Sequence, residues 1–213
     1  MQATTSTERS LVLSYLGLRK SLGVIGIALP IVLAVGKILL ESPGLLDGIS
    51  AYYYSVMRDV LVGSLCAIGV FLFSYRYARQ DDIAGNLAGV CAIGLALFPA
   101  APVGATAQQL LIGQLHWIFS VGFFLTLAFF ALVLFRKTDR QKKPTRQKLQ
   151  RNRAYLVCGI TIIACLALLG LMSFLPGSAW LQALHPVFWL ESLAIWAFGI
   201  AWFVKGEAIL KDR

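Results

Sequence analysis

The sequence predicts an all-α fold: a polytopic membrane bundle of six transmembrane helices, with both termini cytoplasmic, forming a single domain over residues 1–213. Three observations predict it. The chain is 58% hydrophobic and 14% charged, with a mean hydropathy of +0.75, whereas soluble domains carry about 25% charged residues. Six stretches approach the roughly 20 apolar residues that cross a bilayer. The basic residues also sort by loop, although the net charge is +9. Such a composition excludes a soluble globular domain and a disordered chain. It also argues against a nucleic-acid module, which needs a solvated basic face. Segments of alternating polarity, the mark of a membrane barrel, are absent.

The elements follow in order. Residues 10–18 are apolar but short and precede Arg19-Lys20, so they read as an amphipathic lead-in at the cytoplasmic interface. A cleaved leader ending near Ala34-Val35-Gly36 is the rival reading; about 20 residues ahead of the apolar core is long for one. Span one covers 22–40 and contains Pro30; span two covers 56–75. Span three, 83–101, ends at Phe98-Pro99, and span four, 110–135, is the longest. Span five, 154–175, stops at Pro176-Gly177, and span six, 187–204, follows Pro186. Proline suits such boundaries because it has no N–H to give a preceding turn.

The loop charges set the orientation. The N-terminus, the second–third loop, the fourth–fifth loop and the C-terminus hold 17 of the 19 Lys and Arg. The basic cytoplasmic loop 136–153 alone holds nine, and the other three loops hold none. This positive-inside pattern predicts a plasma (inner) membrane protein with cytoplasmic termini. The basic loop reads first as the topology determinant and second as a surface for anionic lipids. Cys66, Cys91, Cys158 and Cys165 all fall inside spans, so no structural disulfide is expected. Gly85/Gly89, Gly63/Ala67 and Gly23/Gly26 share helix faces and read as close-packing positions, compatible with a homo-oligomer. Trp180, Trp189 and Tyr52 to Tyr54 read as an interfacial aromatic belt.

Ionisable groups within spans are costly and point to function. Here they gather toward the outer face. Lys37 and Glu41 end span one, Arg58 and Asp59 open span two, Gln114 and His116 lie in span four, and His185 and Glu191 begin span six. Together with Asp47 of the first outer loop they suggest an outward-facing polar pocket. Lys37, Arg58, Asp59, Gln114, His116 and Glu191 are its candidate ligand-binding residues. The structural alternative is that Lys37 pairs with Glu41 and Arg58 bridges to Glu191, merely pinning helices together.

Two other chemistries are open. His116 and His185 with Asp59 or Glu191 supply enough ligand types for zinc, hence a metal-dependent hydrolase, although no H-E-x-x-H or H-x-x-x-H spacing occurs. A serine triad could draw on Ser55 or Ser120 with His116 and Asp59, without a G-x-S-x-G motif. Neither a phosphate-binding loop nor a dinucleotide fingerprint is present. The expected activity is therefore binding, sensing or transport of a small ligand, ion or lipid head group, with no cofactor. A membrane hydrolase using zinc and a ligand-free scaffold are the alternatives, and whether the protein is an enzyme stays open.

The run Ile49-Ser50-Ala51-Tyr52-Tyr53-Tyr54, then Arg58-Asp59-Val60-Leu61-Val62-Gly63, resembles one in uncharacterised bacterial multi-span proteins. Gly85-Asn86-Leu87-Ala88-Gly89, Phe98-Pro99 and His116 within the next helix are similar to bacterial relatives of the six-span Frag1/DRAM-like proteins. The resemblance covers about residues 49–135 and implies six spans, not an activity.

Overall fold

A computed structural model describes residues 6–138, 144–174 and 183–210. Pro176, Gly177 and Trp180, together with residues 139–143 of the basic loop and 211–213 at the C-terminus, lie outside the described residues. The described chain is helical, with no strand. Helix α1 is Ser6–Leu40, α2 Arg58–Phe73, α3 Arg79–Leu97, α4 Ala107–Phe129, α5 Arg146–Met172 and α6 Pro186–Lys205. A single 3₁₀ turn, Ile49–Tyr54, lies between α1 and α2, and a π-turn, Phe130–Leu134, extends α4.

The boundaries follow local chemistry. Thr106 caps α4 with a reciprocal box: its hydroxyl accepts from Gln109 N–H, and the Gln109 side chain accepts from Thr106 N–H. Thr145 caps α5 through Lys148 N–H. Asp81 and Asp82 occupy the first turn of α3, where exposed N–H groups favour negative charge. Pro186 opens α6, needing no hydrogen-bond partner for a missing N–H. One expectation is corrected here. The separate lead-in does not exist, because α1 runs unbroken from Ser6 to Leu40 through Pro30.

Among the described residues, four helical segments are long and apolar enough to cross a membrane: Tyr15–Leu40, Ala107–Leu134, Arg146–Met172 and Pro186–Lys205. The other two long helices are α2, with 16 residues, and α3, which opens on Arg79-Gln80-Asp81-Asp82.

Each helix packs on the next in sequence, and α6 returns to pack on α1, so the bundle closes as a ring. Small residues draw α1 and α6 together. A Cβ on Gly199 would stand 2.9 Å from Ile27 N and 3.0 Å from Gly23 O, and one on Gly26 would stand 2.9 Å from Gly199 Cα. Gly85 and Gly89 do the same for α3 against α2, at Leu72 O and Phe73. Gly63 does not: nothing lies within 4 Å of its Cβ position, so it is not a packing site.

The two ends of the ring differ. At one end an aromatic cluster, Tyr75, Phe130, Phe135, Tyr155 and Trp202, is buried. Arg19 lies over Tyr75 and Tyr77, bonds Tyr77 Oη, and donates to Lys205 O at 3.1 Å; the Lys205 ammonium lies over Phe135. The start of α5 joins this end, with Lys148 Nζ donating to Phe135 O at 3.2 Å. The opposite end carries Lys37, the 3₁₀ turn, His116, His185 and Glu191.

Candidate functional site

Glu191 organises this second end. It sits in the second turn of α6 and reaches under the 3₁₀ turn. Its Oε2 accepts from Ile49 N–H at 2.6 Å and from Ser50 N–H at 3.4 Å. Gly48 makes room for this approach, since a Cβ there would stand 2.9 Å from the same oxygen. A second tie joins the two segments: Phe188 N–H donates to Asp47 O at 2.8 Å.

Ser50 then links α6 to α4. Its Oγ lies 3.1 Å from His116 Nε2 and 3.4 Å from Glu191 Oε1. His116 Nδ1 lies 2.8 Å from Phe98 O, the carbonyl that ends α3. A carbonyl only accepts, so Nδ1 carries a proton. In the neutral ring Nε2 is then an acceptor, and the single hydroxyl proton of Ser50 has two acceptors within reach, Nε2 at 3.1 Å and Glu191 Oε1 at 3.4 Å, of which Nε2 is the nearer.

Two voids meet at this network. A cavity of about 60 Å³ lies inside the ring, where Leu29, Leu65, Leu95 and Phe123 from four helices line it together with Ser50, His116 and Glu191. A cleft of about 600 Å³ lies between the far ends of α4 and α5, beneath residues 47–54 and 100–103. Trp117, Val121, Leu166 and Leu169 form its apolar walls, while Ser50, Ser120, His116 and Glu191 supply polar groups. The cleft exists because α4 and α5 touch mainly at the other end. There Phe135 packs on Tyr155, and Leu132 fills the space beside Gly159. At the cleft, Gly170 has nothing within 4 Å of its Cβ position.

The structure sorts the expected residues. His116 and Glu191 line both voids. Lys37 is 5% exposed and turns back on its own helix end, donating to Pro43 O at 3.4 Å and Gly44 O at 3.2 Å. Glu41 accepts from Val56 N–H at 3.0 Å, so the Lys37–Glu41 pair does not form. The Arg58–Glu191 bridge does not form either: Arg58 is exposed and stands over the Tyr53 ring at 5.0 Å. Asp59 and Gln114 are exposed and line neither void.

His185, the left-handed residue (φ 47) before α6, pairs with Asp47 at 3.2 Å. Among the described residues no three His, Cys, Asp or Glu converge as metal ligands. Tyr52 is buried rather than belted at an interface, and burial pushes its phenol pKa up against the opposing influence of the Leu46 backbone.

Ser50 was missed in the sequence, as was the Phe98 carbonyl. Both stand outside the long helices, where helical periodicity predicts no facing. The one available signal was the placing of Ser50 beside tyrosines, in a loop without charges after Asp47. No protein-family model, curated protein or solved structure matches the chain.

Proposed function

We propose that this is a six-span inner-membrane protein, cytoplasmic at both termini, whose outer-end cleft binds an amphiphile such as a lipid. The observation that carries this reading is the Glu191–Ser50–His116 network at the polar end of an otherwise apolar cleft of about 600 Å³. Ligand sites are commonly apolar clefts of about 300–1,000 Å³ with a few fixed polar groups. A chain would lie between α4 and α5, and a hydrogen-bonding head group would meet Ser50, His116 and Glu191. Among the six candidate residues, His116 and Glu191 stay in the reading as ligand contacts. Lys37, Arg58, Asp59 and Gln114 shape or rim the same end.

Six spans are supported by the ring, in which α2 and α3 fill places equivalent to the longer helices. Sixteen residues give α2 about 24 Å of helix against a hydrocarbon core of about 30 Å. Local thinning and flanking residues accommodate that mismatch. The described flanks of the basic loop, residues 136–138 and 144–153, adjoin the end that holds Arg19 and Lys205, with Lys148 Nζ on Phe135 O, which supports assigning the loop to the cytoplasm, facing anionic lipid.

The test is native mass spectrometry of the purified protein with lipid extraction. A co-purifying amphiphile is expected, lost in Gly170→Phe, because the aromatic ring fills the open cleft, and reduced in Glu191→Gln. Wild type without an amphiphile, or Gly170→Phe with wild-type occupancy, would overturn the reading.

A further inference from the structure

We infer that Ser50 and His116 form a nucleophile–base pair that hydrolyses a carboxylic ester of the amphiphile held in the cleft. The inference rests on the binding reading above and adds chemistry to it. An activated serine needs a base within hydrogen-bond reach and a third group that orients the base. All three are present. Ser50 Oγ lies 3.1 Å from His116 Nε2, and His116 Nδ1–H donates to Phe98 O at 2.8 Å, which leaves the Nε2 lone pair facing the hydroxyl.

The elements that hold these groups are independent of one another. His116 rides on α4, Phe98 ends α3, and Ser50 belongs to the 3₁₀ turn. Glu191 is the positioning residue: its grip on Ile49 N–H fixes where Ser50 stands. Ser50 also borders both voids, so its hydroxyl is placed where an ester in the cleft would end. Asp47 and Ser173 line the same cleft, giving it a polar side through which water can enter.

The reaction balances with water as the only co-reactant. Ser50 Oγ attacks the ester carbonyl carbon as its proton passes to His116 Nε2. The carbon–oxygen bond to the alcohol breaks, and that oxygen leaves with the proton from Nε2. Water, deprotonated by His116, then attacks the acyl-Ser50 ester. The serine oxygen recovers the proton, and a carboxylic acid is released.

The test uses the full-length protein in nanodiscs with a fluorophosphonate, whose phosphorus forms a bond to an activated serine oxygen as fluoride leaves. One adduct is expected, mapping to Ser50. Ser50→Ala should abolish it, and His116→Asn should slow it by about 100-fold, the lower range for loss of a general base. Ser55→Ala and His185→Asn should label as wild type. Thermal unfolding checks each variant, and His116→Gln replaces His116→Asn if the latter unfolds. Wild type should also release p-nitrophenol from long-chain p-nitrophenyl esters, and Ser50→Ala should not. No adduct at Ser50, or labelling there that is indifferent to a folded His116 variant, would overturn the inference. An amphiphile that still co-purifies in that case leaves the binding reading standing. Labelling without a bound amphiphile would support the pair and refute the binding reading.

Discussion

Removing the Glu191 carboxylate should cost more stability than its exposed counterpart Glu41, by an amount the geometry sets. Glu191 Oε2 accepts from Ile49 N–H at 2.6 Å, and Ile49 is 4% exposed. A hydrogen bond to a charged group contributes about 1.5–3 kcal/mol, and an orphaned buried donor costs about 1–3 kcal/mol. The two contacts to Ser50, at 3.4 Å, are near the limit of a hydrogen bond and add little. Glu191→Ala should therefore cost about 2–3 kcal/mol. Glu191→Gln keeps a carbonyl acceptor and should cost about 1 kcal/mol. A chain of this length loses about 2–4 °C in Tm per kcal/mol. The expected drops are then about 4–12 °C for alanine and about 2–4 °C for glutamine. Glu41 also accepts a backbone N–H, from Val56 at 3.0 Å, but both groups are exposed. Water replaces that bond, so Glu41→Ala should shift Tm by about 2 °C at most. The assay is thermal unfolding in one detergent at one protein concentration. A Glu191→Ala shift no larger than that of Glu41→Ala would refute the claim that this carboxylate pins the 3₁₀ turn to α6.

Other outcomes follow from the packing. Gly199→Ala places a methyl against Ile27 N and Gly23 O, so α1 and α6 must part; a loss of about 1–3 kcal/mol is expected in thermal unfolding. Gly63→Ala meets nothing within 4 Å and should be neutral or stabilise by about 0.4–1 kcal/mol, giving the pair opposite signs in the same assay. Trp196 Nε1–H donates to Ile27 O at 3.1 Å, so Trp196→Phe should lose about 0.5–1.5 kcal/mol. Reporter fusions at residue 145 and after residue 213 should both read cytoplasmic, and either one reading outside the cell would invert the assignment of the cleft.

The helices were legible because a run of apolar residues leaves few other structures. The π-turn at Phe130–Leu134 and the unbroken α1 were not. Pro30 within an apolar run is compatible with a continued helix or a break, and the interfacial lead-in was separated from span one only by Arg19-Lys20. That pair does not interrupt the helix. Arg19 finds Tyr77 and the Lys205 carbonyl on neighbouring segments, partners far away in the chain. The candidate site was half legible for the same reason. Glu191 and His116 stand out as ionisable groups in apolar helices. Lys37, Arg58, Asp59 and Gln114 looked alike in sequence, yet a loop carbonyl for Lys37, an aromatic ring for Arg58 and exposure for Asp59 and Gln114 provide a cheaper resting place than a shared pocket.

The cleft itself has a cause that links the two ends of the bundle. Large rings concentrate where α4 meets α5 at the Arg19 end: Phe135 against Tyr155, with Trp202 and Phe130 beside them. Their bulk is buried there, and it locks the helices together at one end only. Toward the other end the packing between them opens, with nothing within 4 Å of the Gly170 Cβ position on α5 and Trp117 and Val121 of α4 lining the same cleft. Two helices clamped at one end and spaced at the other must diverge, and the gap opens where Glu191, Ser50 and His116 meet. Filling the gap should therefore cost little stability, whereas thinning the clamp should cost much. Phe135→Ala is expected to lose about 3–5 kcal/mol, and Gly170→Phe less than about 1 kcal/mol, because its Cβ position is open. Equal losses in thermal unfolding would mean that the two ends are not mechanically distinct, and the cleft would then have no structural origin in the aromatic clamp.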